Sequence, residues 1–298
     1  MRCLLIIAGF ASVSCGPGLD RSIAWVSAPR ILAVRAEPPE SLPGAAVTYT
    51  ALAVTPSGPD AQAEIAWSFC STPPSLTDDS PVSSACITTP AIAAASGPVA
   101  TLTTPTDACR RFGPQGMPAE PGLAAPRPAA PDATGGYYQP VRLDWLDGVT
   151  SALECLTCDP TGVSLDLSQS YRSIRQPNQN PKLLSLTADV LGQPLNLATV
   201  PAGSGIHLSA TWALDSVESY VTIDTIEQGL VWHTERLWVA WFATGGTLDQ
   251  DVSQPLGTAL AADNLWRAPE AAGAACLWTI LHDDRGGMDF VETQIVVQ

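Results

Sequence analysis

The most informative part of the chain is residues 29–54, PRILAVRAEPPESLPGAAVTYTALAV, because a degraded copy returns at residues 181–212, PKLLSLTADVLGQPLNLATVPAGSGIHLSATW. Ile31 aligns with Leu183 at an offset of 152. After a longer loop, Gly44 aligns with Gly203 at an offset of 159. Beyond each glycine, residues alternate with a period of two, which is typical of a half-buried strand. The repeat predicts that one strand, loop and strand unit is built twice.

A tryptophan recurs on the predicted third strand of each copy. Residues 64–70, EIAWSFC, contain Trp67, and residues 237–242, LWVAWF, contain Trp241 at the matching place. A tryptophan on this strand, packed between two sheets, is typical of an immunoglobulin-like sandwich. We therefore predict an all-β fold of two tandem immunoglobulin-like β-sandwich domains, preceded by a cleaved lipoprotein signal peptide and a short tether.

The predicted organisation has five parts. They are a signal peptide at 1–14, a tether at 15–28, a first domain at 29–167, a linker at 168–180 and a second domain at 181–298. Residues from about 71 to 136 are rich in Pro, Ala, Ser and Thr, so we predict a long loop laid over the first sandwich. An extra strand is expected at 163–167. The second domain carries an insert, 215–236, between its second and third strands.

The N-terminus has the features of an export signal. One arginine precedes an apolar run, residues 4–11, that is too short to span a bilayer as a helix. Small residues then precede Cys15, as in a bacterial lipobox, which implies cleavage before Cys15 and acylation of its thiol. Ordinary secretory cleavage is the alternative, since Ser-Val-Ser also fits the small-x-small rule. Gly16 after the cysteine predicts sorting to the bacterial outer membrane.

Three motifs carry a resemblance to a known class. ILAVRAEPPE, WVAWFATGG and LHDDRGGMDF occur in this order. With them the mature chain resembles bacterial cell-surface lipoproteins that carry tandem immunoglobulin-like β-sandwich repeats. The resemblance implies a surface-anchored β protein. No activity is agreed for that class, so it implies no catalytic residue.

Charge and motif content exclude several classes of function. The net charge of −15 and the pI near 4.3 argue against nucleic-acid binding. The sequence has no nucleophile elbow, zinc-protease helix, phosphate-binding loop or dinucleotide fingerprint. We predict no enzyme, no catalytic residue, no metal and no cofactor. The expected partners are the lipid bilayer, through acylated Cys15, and an unidentified protein or glycan.

The cysteines of an exported chain are expected to form disulfides. The candidates are Cys70, Cys86, Cys109, Cys155 and Cys158. We favour a Cys70–Cys86 bridge, with Cys109 joined to Cys155 or to Cys158. Cys276 is expected either to be free and buried or to bridge the domains.

The remaining candidates form a possible partner surface on the second domain, which chain order places far from the membrane. Its segments are the insert, the loop 244–255 and the tip 282–287 of the last hairpin; the candidate residues are Tyr220, Trp232, His233, Trp238 and His282. In the alternative interpretation, the insert is an ordinary strand pair packed on the sandwich.

Three functions therefore stay open at this point. The first is a scaffold or adhesion module, and the second is carbohydrate or peptide binding through exposed tryptophans. The third is a hydrolase around His282, beside Asp283 and Asp284. For this last cluster a plain hairpin turn is the simpler interpretation.

Overall fold

The computed structural model describes residues 23–76, 78–89, 92–114, 134 and 136–298. The expectations for the signal peptide and for Cys15 lie outside these residues. Among the described residues, no helix is long and apolar enough to cross a membrane.

The first half of the chain is mainly β-strand. Its strands are β1 (Arg30–Glu37), β2 (Glu40–Ser41), β3 (Ala46–Thr55), β4 (Gly58–Pro59), β5 (Ala66–Phe69), β6 (Ala95–Ser96), β7 (Val99–Thr103), β8 (Tyr137–Trp145) and β9 (Gly148–Leu156). Its helices are α1 (Ser84–Thr88) and α2 (Ala108–Phe112), and α3 (Leu165–Ile174) follows β9.

The second half is mainly β-strand as well. Its strands are β10 (Leu183–Val190), β11 (Gln193–Pro194), β12 (Thr199–Val200), β13 (Gly205–Trp212), β14 (Ser219–Asp224), β15 (Gly229–Thr234), β16 (Leu237–Ala243), β17 (Thr247–Leu248), β18 (Val252–Ser253), β19 (Ala261–Arg267), β20 (Gly273–Asp283) and β21 (Met288–Val297). A 3-10 turn, Leu214–Ser216, precedes β14.

The two halves form sandwiches with the same strand order. In the first, one sheet contains β1, β3, β4 and β7, and the other runs β2-β9-β8-β5-β6. In the second, the sheets run β11-β10-β13-β19-β17 and β12-β21-β20-β16-β18. In each sandwich a two-residue strand, β2 or β12, pairs parallel with the last strand. This arrangement confirms the predicted immunoglobulin-like fold class.

The repeat extends to local geometry. The pairing of β1 with β3 shifts register between Ile31 and Ala33, and that of β10 with β13 shifts at the equivalent Leu183 and Ser185. Gly44 and Gly203 both have positive φ, +82° and +66°, where a residue with a β-carbon is strained. The match seen in the sequence is therefore a match of backbone conformation.

Both third-strand tryptophans lie in the cores. Trp67 is 0% exposed and Trp241 is 1% exposed. The indole N–H of Trp67 donates to Gly97 O at 2.6 Å, and that of Trp241 donates to Ser253 Oγ at 2.8 Å. Both indoles are thus buried with their polar atom satisfied, as a sandwich core requires.

The segment predicted as a long loop over the first sandwich is more ordered than expected. It contains α1, α2 and the strand β7, which pairs with β3 and completes the first sheet. The five residues of β7, VATLT, alternate buried and exposed. Their pattern is short and lies between prolines, so the surrounding composition concealed it. Residues 115–133 of this segment lie outside the described part.

Residues 163–167 were expected to form a strand, and this expectation was wrong. Ser164 caps a helix instead, accepting a hydrogen bond from the Leu167 N–H at 3.2 Å, and α3 follows. A serine at the first position competes well for the free N–H groups of a helix start. The expected boundary between domain and linker, at 167/168, falls inside α3.

The two sandwiches pack face to face through an inter-sandwich core. We define it by residues that are at most 9% exposed and that come from both halves: Val26, Ala33, Leu52, Val54, Ala240, Cys276, Trp278 and Ile280. The outer faces of β1 and β3 thus cover the outer faces of β16 and β20. The residues before β1 join this packing, since the Val26 N–H donates to Ala243 O at 2.9 Å. Part of the predicted tether is therefore a strand-like edge on the second sandwich.

Candidate functional site

A cluster of buried charges, which we call the charged junction, lies where the first sandwich, the linker and the second sandwich meet. Arg285, at the tip between β20 and β21, lies at its centre. Its guanidinium is 3.1 Å from Glu40 Oε2, 3.3 Å from Glu235 Oε1 and 3.7 Å from Glu218 Oε2. It also lies over the ring of Tyr220, 4.8 Å from the ring centroid. One arginine thus joins three carboxylates from two sandwiches.

Glu40 is the contribution of the first sandwich to this junction. Its side chain is 6% exposed and forms a second ion pair with Arg175, the residue that ends α3. Its other oxygen accepts from the Asn178 backbone N–H at 2.8 Å. The strand β2 holds Glu40 in place by pairing with β9, so the linker is tied to a fixed point on the first sandwich.

Burial controls the ionisation of this junction. Burial, aided by the neighbouring Asp283, raises the pKa of Glu235 to about 7. The pKa of Asp283 is also raised, mainly by burial. The pKa of Arg285 is raised despite burial, because Glu40 and Glu235 favour its charged form. Arg285 therefore stays charged, whereas burial favours the protonated forms of Glu235 and Asp283.

The tip 282–287 was predicted to be a free partner surface, and it is instead largely part of the junction. Asp283 is 2% exposed and accepts from the backbone N–H groups of Arg285 and Gly287, both at 2.8 Å. A β-carbon at Gly287 would collide with the Asp283 carboxylate, so only glycine permits this close turn. The tip is consequently shaped to pack against the linker.

His282 is separated from the carboxylate that a hydrolase would need. Its ring stacks on Trp238, with centroids 5.4 Å apart, while Asp283 points into the junction on the opposite face of the strand. Burial lowers the pKa of His282 to about 4, so the ring is neutral at pH 7. The ring of His282 is therefore packed against an aromatic side chain, and the carboxylate of Asp283 is directed away from it and does not orient it.

The insert forms a separate hairpin of β14 and β15. Tyr220 is 5% exposed and stacks on His233, whose Nε2 lies 2.9 Å from Thr222 Oγ1. Trp232 is 60% exposed, and Ile226 at the hairpin tip is 92% exposed. Of the predicted binding residues, Trp232 alone presents most of its side chain, while Tyr220 and His233 support the hairpin.

The other tryptophans are mostly internal. Trp145, Trp266 and Trp278 are 8%, 0% and 0% exposed, and Trp238 is half-buried. The predicted loop 244–255 contains the edge strands β17 and β18, so it is pinned to the sheets. Among the described residues, no group of three or more His, Cys, Asp or Glu side chains could hold a metal ion.

The structure contains two disulfides, Cys70–Cys86 and Cys109–Cys158. The first is the favoured pair, and the second settles the choice left open for Cys109. Cys155, a disulfide candidate, is instead a buried free thiol. Cys155 lies on β9 opposite Glu40 on the paired strand β2. Burial, and next the Glu40 carboxylate, raise the pKa of its thiol. Cys276 is free and buried in the inter-sandwich core.

The central residues of the junction, Arg285, Glu40 and Glu235, were not predicted from the sequence. Glu40 and Arg285 are 245 positions apart, and neither lies in a pattern that marks a buried charge. The scarcity of basic residues, 14 in the chain, was the available signal. An arginine inside an acidic turn of such a chain is a candidate for a shared ion pair.

Comparisons with known proteins identify no family for this chain. No protein-family model matches the chain, and no curated protein matches it. Among solved structures, the D00-D0 domain of intimin is 9% identical with a TM-score of 0.26 and covers 89% of this chain and all of that one. The adhesin InvE of Yersinia pseudotuberculosis is 10% identical with a TM-score of 0.25 and covers 89% of this chain and 58% of that one. At such scores the likeness carries no argument, and the fold class rests on strand order and pairing.

Proposed function

We propose that this protein is a non-enzymatic module anchored to the bacterial outer membrane by acylated Cys15, serving in adhesion, assembly or envelope scaffolding. In this proposal the two sandwiches act as one rigid body. The observation that supports it is the double connection between them, through the inter-sandwich core and through the charged junction.

The use made of the ionisable groups favours a structural role. Groups with strongly shifted pKa values are the usual starting point for locating a catalytic site. Here Glu235 and Asp283 surround Arg285, and His282 is stacked on Trp238. These contacts join or pack the sandwiches. A sandwich of this kind offers its loops and hairpins to partners.

The anchor is tested by fractionation. The full chain, made with its signal in a Gram-negative host, is expected in the membrane fraction, with an acyl adduct on the N-terminal peptide beginning at Cys15. Cys15→Ser is expected to be released in soluble form. Recovery of a soluble, unmodified wild-type protein with a different N-terminus would exclude the lipid anchor.

The scaffold function is tested in the producing bacterium. Removal of the gene is expected to alter cell aggregation, surface attachment or envelope integrity, and the wild-type chain is expected to restore it, whereas Cys15→Ser is not. An esterase or peptidase activity in the purified protein that disappears in His282→Gln at unchanged thermal stability would contradict the non-enzymatic proposal.

A second candidate, binding of a carbohydrate or peptide, is favoured by one observation. Trp232 and Ile226 are two large apolar side chains of the hairpin that are mostly exposed. Glycan and peptide arrays probed with the purified protein are expected to show a signal that Trp232→Ala abolishes. Trp25→Ala is the matched control, since Trp25 is also exposed but lies at another site. Equal loss in both variants would argue against a specific surface on the hairpin.

A further inference from the structure

The chain enters the folded body beside the second sandwich. The Ala243 N–H donates to Ala24 O at 2.9 Å, and the indole N–H of Trp25 donates to Thr244 O at 3.2 Å. Val26 is 1% exposed in the inter-sandwich core, and Arg30 donates to Ile23 O at 2.7 Å. The segment is therefore held by both sandwiches before β1 begins.

The distance from this entry point to the anchor is limited. Ile23 follows Cys15 by eight positions, and a fully extended chain spans at most about 3.3–3.6 Å per residue, or roughly 28 Å in all. The eleven residues of β20 alone span roughly 36 Å at about 3.3 Å per residue. The tether is thus shorter than the sandwich, so an anchored molecule holds its entry end near the bilayer.

Strand order identifies what else lies at the entry end. In the first sandwich it is the turn between β8 and β9, because Leu146 and Arg30 line one cavity of about 340 Å³. In the second sandwich the entry end includes the turn between β10 and β11, at Leu191. The last residue of β16, Ala243, is bonded to the entry segment, and β13 begins at the same end of the sandwich, beside the end of β10. The charged junction and the hairpin of β14 and β15 lie at the other end.

The residues at these two turns are unusual. Leu146 and Leu191 both have φ of +52°, a conformation that glycine or asparagine adopts at lower cost. Both side chains are largely exposed, 70% and 98%, so neither contributes to a core. Ile23, next to the entry point, is 75% exposed. Three large apolar side chains therefore point to solvent at the end that the tether holds.

Exposed apolar residues alone do not select this end, since Ile226 and Trp232 are exposed at the other one. The tether selects the entry end, because the chain between Cys15 and Ile23 is too short to let the opposite end of the sandwiches lie at the bilayer while the entry end points away. Transfer of an exposed leucine side chain from water into an apolar phase is favourable. The contact needs no basic residues, which agrees with the net charge of −15.

We propose that the end formed by Ile23, Trp25, Leu146 and Leu191, here named the entry face, contacts the bilayer, and that the surface it contacts is one of zwitterionic lipid. The proposal rests on the acylation of Cys15 proposed above. It reverses the order expected from the sequence: both sandwiches stand on the membrane, and the charged junction and Trp232 lie away from it.

Fluorescence quenching tests this orientation. Leu146→Cys, Leu191→Cys and Ile226→Cys are made in the full acylated chain, labelled with a thiol-reactive dye and reconstituted into phosphatidylcholine vesicles that contain a quencher lipid. Cys155 and Cys276 are 4% and 7% exposed, so the new thiol takes the label. We expect severalfold stronger quenching at positions 146 and 191 than at 226. Stronger or equal quenching at 226 overturns the orientation.

The same samples distinguish a failure of the proposed orientation from a failure of the proposed lipid anchor at Cys15. A mass spectrum of the N-terminal peptide first shows whether Cys15 is acylated, and an unmodified Cys15 ends both proposals. An acylated chain with the reverse quenching pattern ends only the orientation. As a second variant, Leu146→Gly with Leu191→Gly suits the backbone at both turns. It is expected to keep its thermal stability while a dye at Ile23→Cys becomes less quenched, and unchanged quenching there would also count against the entry face.

Discussion

The two sandwiches share a strand order but are stabilised in different ways. The first has two disulfides. Cys70–Cys86 lies within the Pro- and Ala-rich segment between β5 and β8, and Cys109–Cys158 joins that segment to the residues after β9. The second has Cys276 as its one cysteine, a free thiol. Among the described residues its main buried cluster, which includes Trp212, Trp241 and Trp266, is larger than the main cluster of the first sandwich. A segment with few apolar residues is therefore ordered by cross-links, and a half without such a segment depends on packing.

The largest effect on this comparison is expected when the sandwiches are uncoupled. Arg285→Ala leaves Glu40, Glu218 and Glu235 buried without their common cation. Breaking a buried pair in this way costs about 3–5 kcal/mol, and we expect the upper part of that range. Denaturant unfolding followed by tryptophan fluorescence is expected to change from one transition to two, one for each sandwich.

Arg236→Ala is the matched control for the junction. Arg236 also pairs with an aspartate, Asp284, but its side chain is 81% exposed. An exposed pair contributes at most about 1 kcal/mol. A similar loss in both variants, or a single transition in Arg285→Ala, would show that the junction does not couple the sandwiches.

Removal of one disulfide is expected to affect the first sandwich alone. Cys109 and Cys158 are separated by 49 residues, and chain entropy gives such a loop roughly 4 kcal/mol, of which about 3 kcal/mol is expected in practice. The double variant Cys109→Ser with Cys158→Ser, studied in the Arg285→Ala background, should lower the first transition and leave the second unchanged. A shift of both transitions would show that the second sandwich also depends on the cross-link.

The shared part of the two halves was visible in the sequence, and the differences were not. The glycines, the alternating strands and the core tryptophans Trp67 and Trp241 follow from local pattern, which is why the fold class and the Cys70–Cys86 bridge were predicted. The contact of Glu40 with Arg285 depends on how two finished sandwiches dock, and no local pattern encodes it. For the same reason the buried tip at Asp283 was taken for an exposed loop, and Cys155 stayed beside Cys158 as one of two predicted partners of Cys109.

Two buried groups, one in each sandwich, are expected to lower the stability on opposite sides of neutral pH. Burial raises the pKa of Glu154, in the first, to about 8. Its protonated form is therefore favoured in the native state, and stability falls as pH rises from the unfolded value near 4.5 towards 8. Burial lowers the pKa of His282, in the second, to about 4, so stability falls as pH drops from near 6.5 towards 4. Each change amounts to about 2 kcal/mol, between pH 6 and 8 and between pH 7 and 5 respectively.

Single substitutions identify these groups. Glu154→Gln should remove most of the alkaline loss and His282→Gln most of the acid loss, as measured by the free energy of unfolding between pH 5 and 9. Glu235, with a raised pKa of its own, keeps a smaller alkaline loss in the first variant. An unchanged pH profile in either variant would assign that loss to other groups.

The smallest effect concerns the repeated turn itself. Gly44→Ala and Gly203→Ala each place a β-carbon on a residue with positive φ, which costs about 1–2 kcal/mol. The space around the two differs slightly: a β-carbon at Gly44 meets the Thr106 methyl at an ordinary 3.4 Å, and one at Gly203 meets the flexible carboxylate of Glu270, which can move away. Equal losses are therefore expected, with Gly229→Ala as a control because its φ is not positive. Thermal unfolding of the three variants measures them, and a loss at one turn several times larger than at the other would show that the copies share a backbone shape without sharing its energetic importance.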